Sequence, residues 1–159
     1  MRTSSVREIK TELSVYPTSE LVDICLKLAK FKKENKEYLT YLLFEAGNED
    51  FFIEQVKENI DDSFNEINYR NFYYIKKSVR KQLKEVKKYI RFSKKKATEV
   101  ELLMHFCKAL KGMDPNYKRS RILVNVYDRQ IGMIKKAIDK LHEDLQFDYQ
   151  EELTELIER

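Results

Sequence analysis

The sequence predicts an all-α protein: an irregular antiparallel bundle of seven to eight helices, in one domain spanning residues 1–159. Three observations point that way. Apolar residues recur at three- and four-residue steps along most of the chain, and no segment alternates convincingly with a period of two. Only three Gly and two Pro interrupt it, and 36% charged with 42% hydrophobic residues is the balance of long amphipathic helices. The breaks between periodic segments are short, which favours antiparallel neighbours. Helical hairpins of this kind also fit a short HEAT-like right-handed stack. Against a stack, the helix starts expected near residues 19, 49 and 98 share no period, and no motif recurs.

Val6, Ile9 and Leu13 make a short first helix, ended at Tyr16-Pro17. Thr18 is the expected N-cap of the second, which carries Leu21, Ile24, Cys25, Leu28 and Phe31 on one face. Asn35 is expected to cap a third helix, Lys36 to Ala46. Tyr38, Leu39, Tyr41, Leu42, Leu43 and Phe44 make it apolar nearly all round, which places it at the centre of the fold. Gly47 suits its C′ position, and Asn48 suits the next N-cap. The fourth helix then presents Phe52, Ile53, Val56, Ile60, Phe64 and Ile67, before a break around Asn68.

The fifth segment, Arg70 to Lys96, is the most distinctive. It carries twelve Lys/Arg residues against a single acid, Glu85. At about 100° per residue, Phe72, Ile75, Val79, Leu83, Val86 and Ile90 fall within an arc of about 80°, while every cation but Lys96 lies in an opposite arc of about 140°. Residues 1–69 hold nine basic and fourteen acidic residues, giving −5; residues 97–159 hold ten and twelve, giving −2. The net charge of +4 therefore hides one strongly positive element of +11.

Thr98-Glu99-Val100-Glu101 reads as a capping box in front of Leu103, Phe106, Cys107 and Leu110, a helix closed by Gly112. Asp114-Pro115 reads as N-cap and N1 of the last long helix, in which Val124, Tyr127, Ile131, Ile134, Ile138, Leu141 and Leu145 keep a heptad-like spacing. Asp148 is the expected cap of a short final helix with Leu153, Leu156 and Ile157.

Catalytic motifs are missing from this pattern. Gly47, Gly112 and Gly132 are isolated, so neither a phosphate loop nor a dinucleotide fingerprint can form. His105 and Cys107, two positions apart, point to nearly opposite sides of a helix. His105 has Glu101 four residues before it and His142 has Asp139 three before it, which falls short of the Glu-x-x-His pairs of di-iron bundles. No cofactor and no metal are expected. Cys25 and Cys107 are too few for a disulfide framework and lie among apolar residues, so buried free thiols in a reducing cytoplasm are expected. The first residues lack the apolar core of a signal peptide. The longest apolar run, Tyr41-Leu42-Leu43-Phe44, is far shorter than a membrane span.

What remains is a non-enzymatic interaction module that docks an anionic partner, an acidic protein or nucleic acid, on Lys76, Lys77, Arg80, Lys81, Lys84, Lys87, Lys88 and Arg91. Like-charge pairs at i,i+4, such as Arg80/Lys84 and Lys87/Arg91, each cost a few tenths of a kcal/mol, which a binding role would explain. About five neutralised phosphates would give a log–log salt slope of roughly −4. Tyr73, Tyr74 and Phe92 lie near the charged arc, where they either stack on unpaired bases or pack against flanking helices. A membrane surface ranks below both partners, because the apolar stripe is needed for the core and Trp is absent. The alternatives are an enzyme with an unrecognised site and a structural helical domain with no anion-binding role. The Val124–Leu145 seam packs either on the chain's own helices or on a second copy as a homodimer, and Gly132 within it suggests a close backbone neighbour.

Overall fold

The computed structural model describes residues 1–158. It is all-helical, with eight α-helices and no strand among the described residues. The chain divides into two compact units, Met1–Glu45 and Ala46–Arg159.

The first unit holds α1 (Val6–Leu13), α2 (Thr18–Phe31), α3 (Lys33–Thr40) and one π-helical turn, Tyr41–Glu45. Ser5 and Glu8 close a reciprocal capping box on α1. Pro17, not Thr18, holds the N-cap position of α2. Asn35 is not a cap: it lies inside α3, and its Nδ2 donates to the Leu28 carbonyl at 2.8 Å, which ties α2 to α3. The expectation that this helix is the centre of the fold is wrong. No residue of α1, α2 or α3 is buried, and of the apolar run only Tyr41 is, whereas Leu42, Leu43 and Phe44 are 50, 65 and 76% exposed. Cys25, expected inside, is exposed as well.

The second unit is the bundle: α4 (Glu49–Asn65), α5 (Phe72–Ser93), α6 (Lys96–Lys111), α7 (Arg121–Ile138) and α8 (Glu143–Glu158). Asn48 caps α4, accepting from Phe51 N, and Phe52, Ile53, Val56, Ile60 and Phe64 are buried as the spacing predicts. The centre is α6, which packs against α4, α5, α7 and α8. It buries Val100, Leu102, Leu103, Met104, Phe106, Cys107 and Leu110, so three of its sides are apolar rather than one. Phe64 of α4 meets Phe106 edge-on at 5.8 Å.

Four boundaries after α5 shift from the expectation. The N-cap of α6 is Lys95 rather than Thr98, because Thr98 is buried within the first turn and turns its hydroxyl to Glu49. α7 starts at Arg121 under a Ser120 cap, after a 3₁₀ turn at Tyr117–Arg119, so Asp114-Pro115 opens no α-helix. α7 also ends at Ile138, and Leu141 and Leu145 do not continue it. Gln146 Nε2 donates to the carbonyls of Asp139 and Leu141, and His142 Nδ1 accepts from Asp144 N, so side chains close one helix and open α8 without Gly or Pro. Asp148 accordingly lies inside α8. Tyr127, Ile131, Ile134 and Ile138 are buried. Apart from its own helix, nothing in the chain lies within 4 Å of where a Gly132 Cβ would stand, so the chain's own helices do not supply the expected close backbone neighbour.

Candidate nucleic-acid interface on α5

α5 is the basic helix, shorter than the segment expected. Asn71 caps it by accepting from Tyr73 N at 2.7 Å, and it stops where Lys94 takes a left-handed backbone, φ 61°, with its N–H on the Ile90 carbonyl at 2.9 Å. Arg70, Lys94, Lys95 and Lys96 therefore flank the helix rather than belong to its face. Twenty-two residues at 1.5 Å each span about 33 Å.

One side of the helix is fixed by Ile75, Val79 and Val86, each wholly buried. Gln82 is buried in the same row, whereas Leu83 and Ile90 are only half-buried. On the far side Lys77, Arg80, Lys81, Lys84 and Arg91 are exposed, and Lys76 and Lys87 are half-buried at its flank. None of these seven forms an ion pair among the described residues. The helix's single acid, Glu85, is held by Lys88 at 2.9 Å.

Lys88 is placed apart from the other seven expected binding residues. Its side chain is 11% exposed, it pairs with Glu85, and its ammonium lies 5.0 Å from the Tyr89 ring centre. It belongs to the structure of the bundle and not to the open face.

Tyr73 and Tyr74 are 61 and 48% exposed and meet each other edge-on at 5.3 Å. Tyr73 lies in the same arc as Lys77, Arg80 and Lys84, so a π-surface heads the row of cations. Phe92 is different: it is half-buried and stacks edge-on with Tyr89, which stacks in turn on Phe52.

The face has two edges. Beside Lys81, α4 and α5 enclose a cleft of about 430 Å³ whose α4 wall carries Asp62 and Glu66. That acidic wall limits the field on one side. At the C-terminal end the helix is locked to its neighbours by Glu49, the first residue of α4. Its Oε2 accepts from Ser93 Oγ at 2.5 Å and Thr98 Oγ1 at 2.8 Å, with Lys95 Nζ at 3.9 Å. One carboxylate thus fixes the angle at which α5 turns into α6. The periodicity of the sequence gives no sign of this residue, because its partners lie 44 and 49 positions away.

Several other titratable groups pair across helices of the bundle. Glu101 accepts from Lys57 Nζ at 2.8 Å and from Tyr149 Oη at 2.9 Å, joining α4, α6 and α8. Burial pushes its carboxyl up, but the two hydrogen bonds and the Lys57 charge outweigh that and hold it below the usual range. His105 meets Asp61 at 2.8 Å, not Glu101. Burial raises the Cys107 thiol to about 12. Among the described residues, no three His, Cys, Asp or Glu side chains are grouped to hold a metal ion, and no helix is long and apolar enough to cross a membrane. Comparison with protein-family models, curated proteins and solved structures finds no match to the chain.

Proposed function

We propose that the protein is a non-enzymatic interaction module that docks single-stranded nucleic acid, through its phosphate backbone, on the open face of α5. The observation that carries this reading is the row of five exposed cations without ion-pair partners among the described residues, on a helix whose only acid is already taken. Salt-bridged surface helices interleave their signs; this one does not. Lys and Arg in a row suit phosphates better than base edges, so binding is expected to be indifferent to sequence. The exposed Tyr73/Tyr74 pair favours unpaired bases over an acidic protein, because every base offers a face for stacking.

The test is an anisotropy titration of labelled oligothymidylate against wild type and two variants. Replacing Lys77, Arg80, Lys81 and Lys84 with Glu is expected to abolish binding while leaving the far-ultraviolet dichroism unchanged. Tyr73→Ala with Tyr74→Ala is expected to weaken it by about 1–3 kcal/mol per base unstacked. Polyglutamate binding as tightly as the oligonucleotide in place of it would assign the face to an acidic protein. Unaltered oligonucleotide binding by the charge-reversed variant would remove the assignment altogether.

A further inference from the structure

The corner where α5 turns into α6 folds four cations around one cavity. Lys87 and Arg91 come from the last turns of α5, Lys94 from the left-handed connector and Lys96 from the first position of α6. The cavity measures about 420 Å³, and Ile90 and Met133 supply its apolar lining. One acid, Glu99, borders it, and Lys96 holds that carboxylate at 3.1 Å. Four cations against one acid leave the lining a surplus of three positive charges.

This geometry differs from the rest of the face. Lys77, Arg80, Lys81 and Lys84 stand exposed on a convex helix, where each meets a passing phosphate diester singly. At the corner, cations from two helices and their connector converge on a concavity. A diester carries one negative charge; a phosphate monoester carries about −1.5 to −2 at neutral pH and offers three free oxygens. Arg91 supplies the planar fork that pairs two such oxygens, and the lysine ammoniums can meet the third. The lining at Ile90 and Met133 is soft and apolar, suited to the sugar or base attached to that phosphate.

We infer that this corner cavity binds a phosphate monoester, presented as the phosphorylated end of a nucleic-acid strand lying along α5. The strand rests on the function proposed above; the monoester site does not, because a free mononucleotide offers the same group.

The experiment compares an oligothymidylate of about 12 nucleotides, within the site sizes of single-strand binders, ending in a 5′-hydroxyl, a 5′-phosphate or a 3′-phosphate, with thymidine monophosphate as the free arm. The wild type is expected to prefer one phosphorylated strand by about tenfold, the yield of one added charge-assisted contact. That preference should shrink below about pH 5, where the monoester loses its second charge. The variant joining Lys94→Gly to Lys96→Gln removes two corner charges; glycine accepts the left-handed backbone, and glutamine keeps a donor for Glu99. In it the preference ratio should fall to about one. The variant with Lys77, Arg80, Lys81 and Lys84 changed to Glu should keep the free arm's affinity while losing the hydroxyl-ended strand. Equal binding of hydroxyl and phosphate ends by wild type, or a ratio that survives the corner variant, overturns the inference. Loss of strand binding in wild type with thymidine monophosphate still bound would sink the α5 interface and leave the corner site standing.

Discussion

Glu49→Ala is the most informative single perturbation of the bundle. The carboxylate is 14% exposed and accepts from two hydroxyls, Ser93 and Thr98, at 2.5 and 2.8 Å. Thr98 is 1% exposed, so its hydroxyl would be left in the interior without this acceptor. A hydrogen bond to a charged group contributes about 1.5–3 kcal/mol, and an unsatisfied buried hydroxyl costs about 1–3 kcal/mol. Loss of a negative charge from the first position of α4 adds about 0.3–1 kcal/mol through the helix dipole. These effects overlap, and the expected loss is about 3 kcal/mol. For a chain of this length that lowers the melting midpoint by about 6–12 °C. Differential scanning calorimetry on purified protein reads it directly. Glu54→Ala on the same helix is the control: that side chain is 67% exposed and meets Lys57 only at 3.5 Å, so its loss should stay within about 1 kcal/mol. A Glu49→Ala midpoint within about 2 °C of wild type would refute the claim that this carboxylate fixes the corner.

Gly132→Ala is expected to raise stability by about 1 kcal/mol, since nothing lies within 4 Å of the added methyl and the residue sits inside α7; a lower urea midpoint would contradict it. Lys94→Gly should gain about 1 kcal/mol by relieving a lysine at φ 61°, read the same way. Ellman's reagent should label Cys25 alone in the native protein and both thiols in denaturant, because Cys107 is buried with its thiol raised to about 12. Glu101 contributes its stabilisation fully above an unfolded value near 4.5 and loses it as pH falls through its lower folded value. Glu101→Gln should therefore lose less stability than wild type between pH 7 and pH 3, measured by urea unfolding.

The sequence could be read where local chemistry alone decides. Asn48 caps α4 because its side-chain acceptor acts within one turn, and Gly112 stands at the C-cap of α6, where the periodic apolar run ends. The apolar arc of α5 likewise finds Ile75, Val79 and Val86. It fails where the outcome depends on what approaches from elsewhere. Tyr41–Phe44 and Leu102–Phe106 are both apolar nearly all round, and only tertiary packing chooses the second as the centre. Lys88 shares its arc with the open cations, yet it is drawn to Glu85 and the Tyr89 ring and is buried. The end of α7 escaped because a glutamine and a histidine, not Gly or Pro, satisfy the backbone there. For the candidate interface, the side of the helix was legible and the absence of compensating contacts was not, because periodicity cannot show where Asp62 and Glu66 stop short.

The salt dependence of oligothymidylate binding tests the central claim most directly. Lys77, Arg80, Lys81, Lys84 and Arg91, each neutralising one phosphate, give a log–log slope of about −3.5 for a single strand. Affinity should then fall about 100-fold between about 50 and 200 mM salt, equally for different base sequences, and the charge-reversed variant should show no measurable binding at either. A wild-type slope near zero, or strong preference for one sequence at constant salt, would contradict docking of a phosphate backbone on α5.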